Sequence, residues 1–376
     1  MFFLFWMAAG LMVAHYWALP LYLWTAATLF PRRTETGRAW PTVALVIAAY
    51  NEAKVIERKL KNCKELSYPS DKFEVIVVSD GSTDETPQIV ERIGGARSLF
   101  QKERKGKADA LNRAVASTQA DVVVFSDANT FYNVDAIVRL VQHFADPRVG
   151  GVSGLKRIQQ KRARASARGD QTYWNLESLI KIWESAIGSV STGDGEIFAI
   201  RRGLFKPLDS AIINDDMAIT LEIVSRGYRV LYEPEAISEE EASITLREDF
   251  NVKARMVAGG YQFFSRLLNN SSVSSGFRIQ LFIHKFLRYF MPVLLITLFI
   301  ANLFLLRTSF YWMALLMQVT VYFSAMIGVI FTLFKISPSL FYLPLYYCVV
   351  NAAALKGLVY FLRRIPVTVV WTKANR

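Results

Sequence analysis

Asp80 and Asp127 close two similar stretches, VIVVSDGST (75–83) and VVVFSDANT (122–130). In each, an apolar run reads as a buried strand that stops in a polar cluster. A lone acid at a strand end is most often the start of an Asx turn. A third cluster, Tyr50-Asn51-Glu52, ends the run TVALVIAAY (42–50). If the three strands are parallel, all three clusters fall on one edge of the sheet, where α/β proteins bind ligands. A shared pocket explains three such ends better than three unrelated turns. Two more acids, Asp215 and Asp216, open INDDMAITLEIVSRGYRV (213–230), which reads as a helix capped by Asn214 and stopped by Gly227. The helix dipole favours the ionised form of both acids in the first turn. The plainer reading of the pair is dipole stabilisation; the sharper one is a general base.

The elements that must position these residues alternate along the chain. Strand runs at 42–50, 73–80 and 120–128 are separated by helical patterns at 52–65, 85–92 and 107–118, and a further helix is expected over 133–145, started by Asn133. This alternation predicts a mostly parallel α/β sheet. At both ends the composition changes. Residues 2–30 contain no Asp, Glu, Lys or Arg, and about 20 such residues cross a bilayer. Further apolar runs lie at 289–306, 309–334 and 338–362. Arg32, Arg33 and Arg38 follow the first run, which by the positive-inside rule puts the central block in the cytoplasm. Three later crossings would then put the tail, with Arg363, Arg364, Lys373 and Arg376, outside, against the same rule. Either the first span outweighs the tail or one segment is re-entrant; 338–362, with Lys356 inside it, is the weakest span.

AAYNE, VVSDGSTDET, KGKADALN, FSDANT and NDD, eleven residues before GYRV, occur in this order. Together they resemble the family 2 glycosyltransferases of the GT-A fold, a Rossmann-like mixed α/β sheet that binds nucleotide-diphospho-sugars. The resemblance implies a GT-A domain over 40–246 behind a transmembrane helix at 1–30. Interfacial amphipathic helices at 247–290, about three transmembrane helices over 291–362 and a basic tail at 363–376 would follow. It implies nucleotide contacts from Tyr50, Glu52, Asp80, Lys107, Asp127 and Arg255. It assigns a divalent metal, Mg²⁺ or Mn²⁺, to Asp127 and to the residue two along. That residue is Asn129 where the family has Asp, so one negative charge is missing. The family's base matches Asp216, with Asp215 beside it. The segment STGDGEIFAIRR (191–202), with Gly193 and Glu196, corresponds to the acceptor side. In REDFNVKARMVAGG (247–260), Arg255 matches the Arg of the Gln-x-x-Arg-Trp motif of processive synthases. Val252 and Met256 stand where that motif has Gln and Trp, which lowers the expectation of a polymerase.

The implied activity is inverting transfer from a nucleotide-sugar, by family analogy a UDP-sugar, to a lipid-linked or saccharide acceptor at the inner membrane in cell-envelope polysaccharide assembly. Polysaccharide-assembly partners are compatible with it. A processive synthase that secretes its product and a catalytically inactive scaffold are the alternatives. The chain has 376 residues and a net charge of +12. That charge suits an anionic membrane leaflet, and no nucleic-acid recognition motif supports the other explanation. There is no Walker loop. Two cysteines and three scattered histidines form neither a disulfide framework nor a metal pattern. The basic run 156–168 reads as a solvated, membrane-facing or acceptor-binding face.

Overall fold

The computed structural model describes residues 1–37, 40–159, 165–241, 245–268, 270–334 and 338–365. Residues 160–164 of the basic run 156–168 and residues 366–376 of the basic tail therefore lie outside the described residues, and only the backbone of 165–168 is described.

Among the described residues, eight strands form one mixed sheet: β1 (Val43–Ala49), β2 (Phe73–Asp80), β3 (Arg97–Gln101), β4 (Val122–Asp127), β5 (Thr130–Tyr132), β6 (Val149–Gln159), β7 (Phe198–Arg201) and β8 (Arg229–Glu241), in the order β3-β2-β1-β4-β7-β6-β8-β5. β3, β2, β1 and β4 are mutually parallel. β7 is antiparallel to both β4 and β6. The expected parallel half is thus present, and the other half brings in antiparallel pairs. Ala48 pairs with Asp127 and Ala49 with Ser79, so Tyr50, Asp80 and Asp127 do end on one edge.

Helices α2 (Ile56–Lys64), α3 (Thr86–Ile93), α4 (Lys107–Ala116), α5 (Ala136–Val141), α6 (Ala165–Ile187) and α7 (Asp215–Ser225) accompany the sheet. One core layer packs Ile56, Leu60 and Ile137 on one face of the central strands, and another packs Leu111, Ile219 and Ile223 on the opposite face. Two helices start later than their patterns suggest. Glu52 precedes α2, because its N–H is held by Thr86 Oγ1 at 2.8 Å. Asn133 does not start α5; its side chain bonds the backbone of Glu235 and Ile237 in β8.

Among the described residues, four helices are long and apolar enough to cross a membrane: α1 (Phe2–Leu29), α9 (Ser275–Leu303), α10 (Ser309–Thr332) and α11 (Leu340–Leu362). The stretch 277–290, the last part of the segment expected to be interfacial, runs on without a break as the first half of α9. α1 and α9 each contain one π-helical turn, at Ala14–Ala18 and Phe282–Phe286. The two turns meet where His15 Nδ1 donates to the Ile283 carbonyl at 2.8 Å. Between the sheet and these helices lies α8 (Leu246–Leu268). It packs lengthwise against α11: Lys356 bonds Asn251 at 2.9 Å, and the Tyr261 and Phe361 rings stack.

Candidate active site

The carboxyl edge of the sheet is built from loops that fasten one another. Asn51 holds a positive φ of 55°, and its side chain accepts from Thr83 N–H at 2.8 Å. Arg104 lies over the Tyr50 ring at 4.0 Å. Asp80 accepts from the backbone N–H groups of Lys105 and Gly106 at 3.0 and 2.7 Å, and the Arg113 guanidinium lies 3.5 Å away. Asp80 is 4% exposed, so its first task is to shape the loop that leads into α4. Gly81 has φ +69°, and a Cβ there would sit 2.7 Å from the Arg104 nitrogen. Only glycine fits that close approach.

Lys107, the first residue of α4, points into the centre of this edge. Its ammonium lies 2.9 Å from Asp127 Oδ1 and 3.4 Å from Asp215 Oδ2. Burial opposes its charge, but Asp127 and Asp215 outweigh burial and raise its pKa far above the ordinary lysine value. Asp216 stands beside Asp215 at the head of α7. Burial, then the Asp215 charge, push its carboxyl up to about 7, although Met217 N–H donates to it. Arg255 of α8 is close enough to feel Asp127, Asp215 and Asp216, while its own burial lowers its pKa. Three acids and two cations that are distant in sequence therefore share one cleft.

The acceptor-side segment divides. Gly193 is buried and donates its N–H to Thr220 Oγ1 at 3.0 Å; a Cβ there would meet the Phe198 ring at 2.9 Å. Its smallness serves packing against Phe198. Gly195 is the glycine that opens the cleft: a Cβ there would lie 3.5 Å from Asp216, 3.6 Å from Asp215 Oδ2 and 3.8 Å from Lys107. Glu196 is 6% exposed. Its Oε2 takes the Lys156 ammonium at 2.8 Å, its Oε1 is buried without a hydrogen bond, and burial raises its pKa. Asn214 precedes α7 but makes no side-chain cap. It donates instead to the Met256 carbonyl at 2.9 Å, tying α7 to α8. Gly259 leaves room for this, since a Cβ there would collide with the Asn214 side-chain amide.

The donors suit a hard divalent cation. Asp127 could supply a carboxylate and Asn129 an amide oxygen, and Asp215 Oδ2, 3.4 Å from Lys107, is buried with no hydrogen bond. Among the described residues no three His, Cys, Asp or Glu side chains form a ready cage. That matches ions held by one or two carboxylates, with water and phosphate completing the shell.

Lys156, Lys181 and Glu240 were not singled out in the sequence as site residues. Lys181 bonds Asp194 at 2.6 Å, and Lys156 joins Glu196 to Glu240. Lys59, fully buried, donates to Ser126 Oγ and the Thr130 carbonyl beneath the Asp127 turn, and burial lowers its pKa to about 8. These partners lie from 13 to 84 residues away, and no local pattern announces them.

Residues 44–208 match the Glycosyl transferase family 2 model. Poly-beta-1,6-N-acetyl-D-glucosamine synthase of Staphylococcus aureus (strain COL) is 29% identical over 231 residues, which are 60% of this chain and 56% of that protein. The chain thus spans little more than half the length of those synthases. The probable glycosyltransferase YdaM of Bacillus subtilis (strain 168) is 28% identical over 325 residues, 81% of this chain and 76% of that one. Among solved structures, the mannosyltransferase PcManGT from Pyrobaculum calidifontis, in complex with GDP-Man and Mn²⁺, superposes with a TM-score of 0.74 at 25% identity. That match covers 96% of this chain and 99% of the other. With the mixed sheet and its acidic carboxyl edge, these likenesses show the GT-A fold and a similarity to family 2 glycosyltransferases over residues 44–208.

Proposed function

We propose that this protein is a membrane-anchored, inverting family 2 glycosyltransferase that moves a sugar from a nucleotide-sugar to a lipid-linked or saccharide acceptor in cell-envelope polysaccharide assembly. The observation that carries this reading is the Asp215–Asp216 pair at the head of α7, facing Lys107 across the opening left by Gly195. Asp216 accepts the proton of the acceptor hydroxyl as its oxygen attacks the anomeric carbon. A carboxyl held near 7 is half ionised at neutral pH, which suits a base. Lys107 and Arg255 supply positive charge to the departing diphosphate. Tyr50, Glu52 and Asp80 line or shape the nucleotide end. Asp127 and Asn129 would hold a divalent metal, which when bound neutralises charge on the diphosphate. The donor preference is for UDP by family analogy, and the likeness to a GDP-mannose-binding enzyme keeps GDP-sugars in the test. The catalytic domain lies on the cytoplasmic face of the inner membrane, with Arg32 and Arg33 after α1.

Repeated addition is the second reading, favoured by the likeness to poly-beta-1,6-N-acetyl-D-glucosamine synthase. Against it, Met256 occupies the place of an aromatic platform and is 39% exposed. The deciding experiment is nucleotide release by the detergent-solubilised protein from UDP- and GDP-sugars, with Mn²⁺ or Mg²⁺ and membrane lipid extract. Release that is abolished by chelator and by Asp216→Asn is expected, and sizing the product separates one addition from many. Absence of both release and donor binding, the latter by calorimetry, would move the inactive scaffold to the front.

A further inference from the structure

Asn129 stands where an Asp would complete the Asp-x-Asp pattern, and its surroundings supply a reason. Its Nδ2 donates to Glu240 Oε1 at 2.9 Å. Glu240, 3% exposed in β8, takes the Lys156 ammonium on its other oxygen. Lys156 also reaches Glu196 Oε2 at 2.8 Å, and the Glu196 carbonyl accepts from the Tyr132 hydroxyl at 2.6 Å. The turn between β4 and β5 is thereby tied to β6, β8 and the segment before β7.

An amide facing a carboxylate presents its nitrogen, because the carboxylate only accepts. The Asn129 oxygen is therefore on the edge of the amide away from Glu240. A carboxamide has one oxygen to offer a hard cation, so which way it faces matters. A carboxylate has two equivalent oxygens and needs no such turning. An Asp at 129 would instead set two ionised oxygens face to face at this separation, with Lys156 already shared between Glu196 and Glu240.

We infer that Glu240 is a positioning residue of the metal-binding turn: it fixes which way the Asn129 amide faces and makes Asn, rather than Asp, the residue that fits at 129. The inference rests on the metal-dependent reading above. Its test uses the full chain in detergent, as parent, Glu240→Gln, Asn129→Asp and the double variant. Melting is followed in chelator, and Mn²⁺ uptake by electron paramagnetic resonance with UDP and, separately, GDP.

Glu240→Gln can meet Asn129 with either end of its amide, so it no longer dictates the orientation. It should weaken Mn²⁺ binding about tenfold, as loss of an outer partner does. Asn129→Asp should melt several degrees below the parent in chelator. The double variant should regain the parent's melting temperature and bind Mn²⁺ at least as tightly. Parental Mn²⁺ affinity in Glu240→Gln, or parental melting in Asn129→Asp, would overturn the inference. If the parent takes up no Mn²⁺, the metal-dependent reading falls, and melting in chelator alone decides whether Glu240 dictates the residue at 129.

Discussion

Burial and the neighbouring Asp215 charge lift the Asp216 carboxyl from its ordinary 3.8 to about 7. Transfer at saturating donor should therefore rise with pH through about 7, with an apparent value that belongs to the Asp215–Asp216 pair. Asp216→Asn should abolish transfer and leave donor binding intact; loss of both together would make the residue structural. The same shift has a consequence for stability. A carboxyl with a raised folded value favours the fold while protonated, fully below about 4, and loses that contribution as pH rises through about 7. Asp216→Asn should thus melt above the parent at about pH 8 and no higher at about pH 4. The two glycines of the acceptor-side segment give a sharper contrast. Gly193→Ala forces a Cβ against Phe198 and should cost about 1–3 kcal/mol by overpacking. Gly195→Ala meets only ordinary contacts, so it should melt like the parent yet transfer poorly. Sequence could place both glycines in one segment, but only the packing of Phe198 tells them apart.

The loop between β3 and α4 shows what one carboxylate does for an element. Asp80 accepts from two consecutive amides there, and Asp80→Ala would leave both without a partner. That should cost about 1–3 kcal/mol, and, because α4 begins with Lys107, nucleotide binding should fall as well; calorimetry with UDP reads the second effect. A variant that melts low but binds normally would separate the loop from the site. The parallel strands were legible because continuous apolar runs ending in polar clusters have few other readings. β3 and β5–β8 were not. β5 is 3 residues long and β7 is 4, too short for a period to show. β8, with alternating burial at Ser238 and Glu240, carries polar side chains inward where the sequence pattern expects apolar ones. The buried Glu240 is intelligible once Lys156 is seen opposite it.

The whole molecule is joined to its membrane helices through ion pairs that lie outside any motif. Glu177 of α6 is 4% exposed and meets Lys285, His284 and Arg288 of α9. Glu184 bonds both His284 and Ser191, at the start of the acceptor-side segment. Removing one partner of a buried ionic set costs about 3–5 kcal/mol, so Glu177→Ala should melt much lower in detergent. Parental melting would show the set to be dispensable.

The charge conflict in the sequence is a question at this same scale, and the packing favours one answer. The N-terminal ends of α1 and α10 meet the C-terminal end of α9, where Phe5 contacts Ala301 and Tyr311. α10 therefore begins at the end remote from the catalytic domain and returns towards it. Its last turns meet the start of α11, with Phe331 against Phe341. The other end of α11 lies on α8, where a Cβ on Gly357 would be 2.6 Å from the Ala254 carbonyl, next to Arg255. This packing predicts that both ends of α11 are on the domain side, so that a helix of 23 residues, about 35 Å long, lies along that face although its composition would let it cross. Arg363 and Arg364 then share a side with Arg32 and Arg33, as the positive-inside rule asks. A single cysteine at Arg364, in a background without Cys63 and Cys348, should be labelled by an impermeant maleimide from the same side as one at the exposed Glu65. Labelling from opposite sides would mean that α11 crosses and that α1 alone sets the orientation.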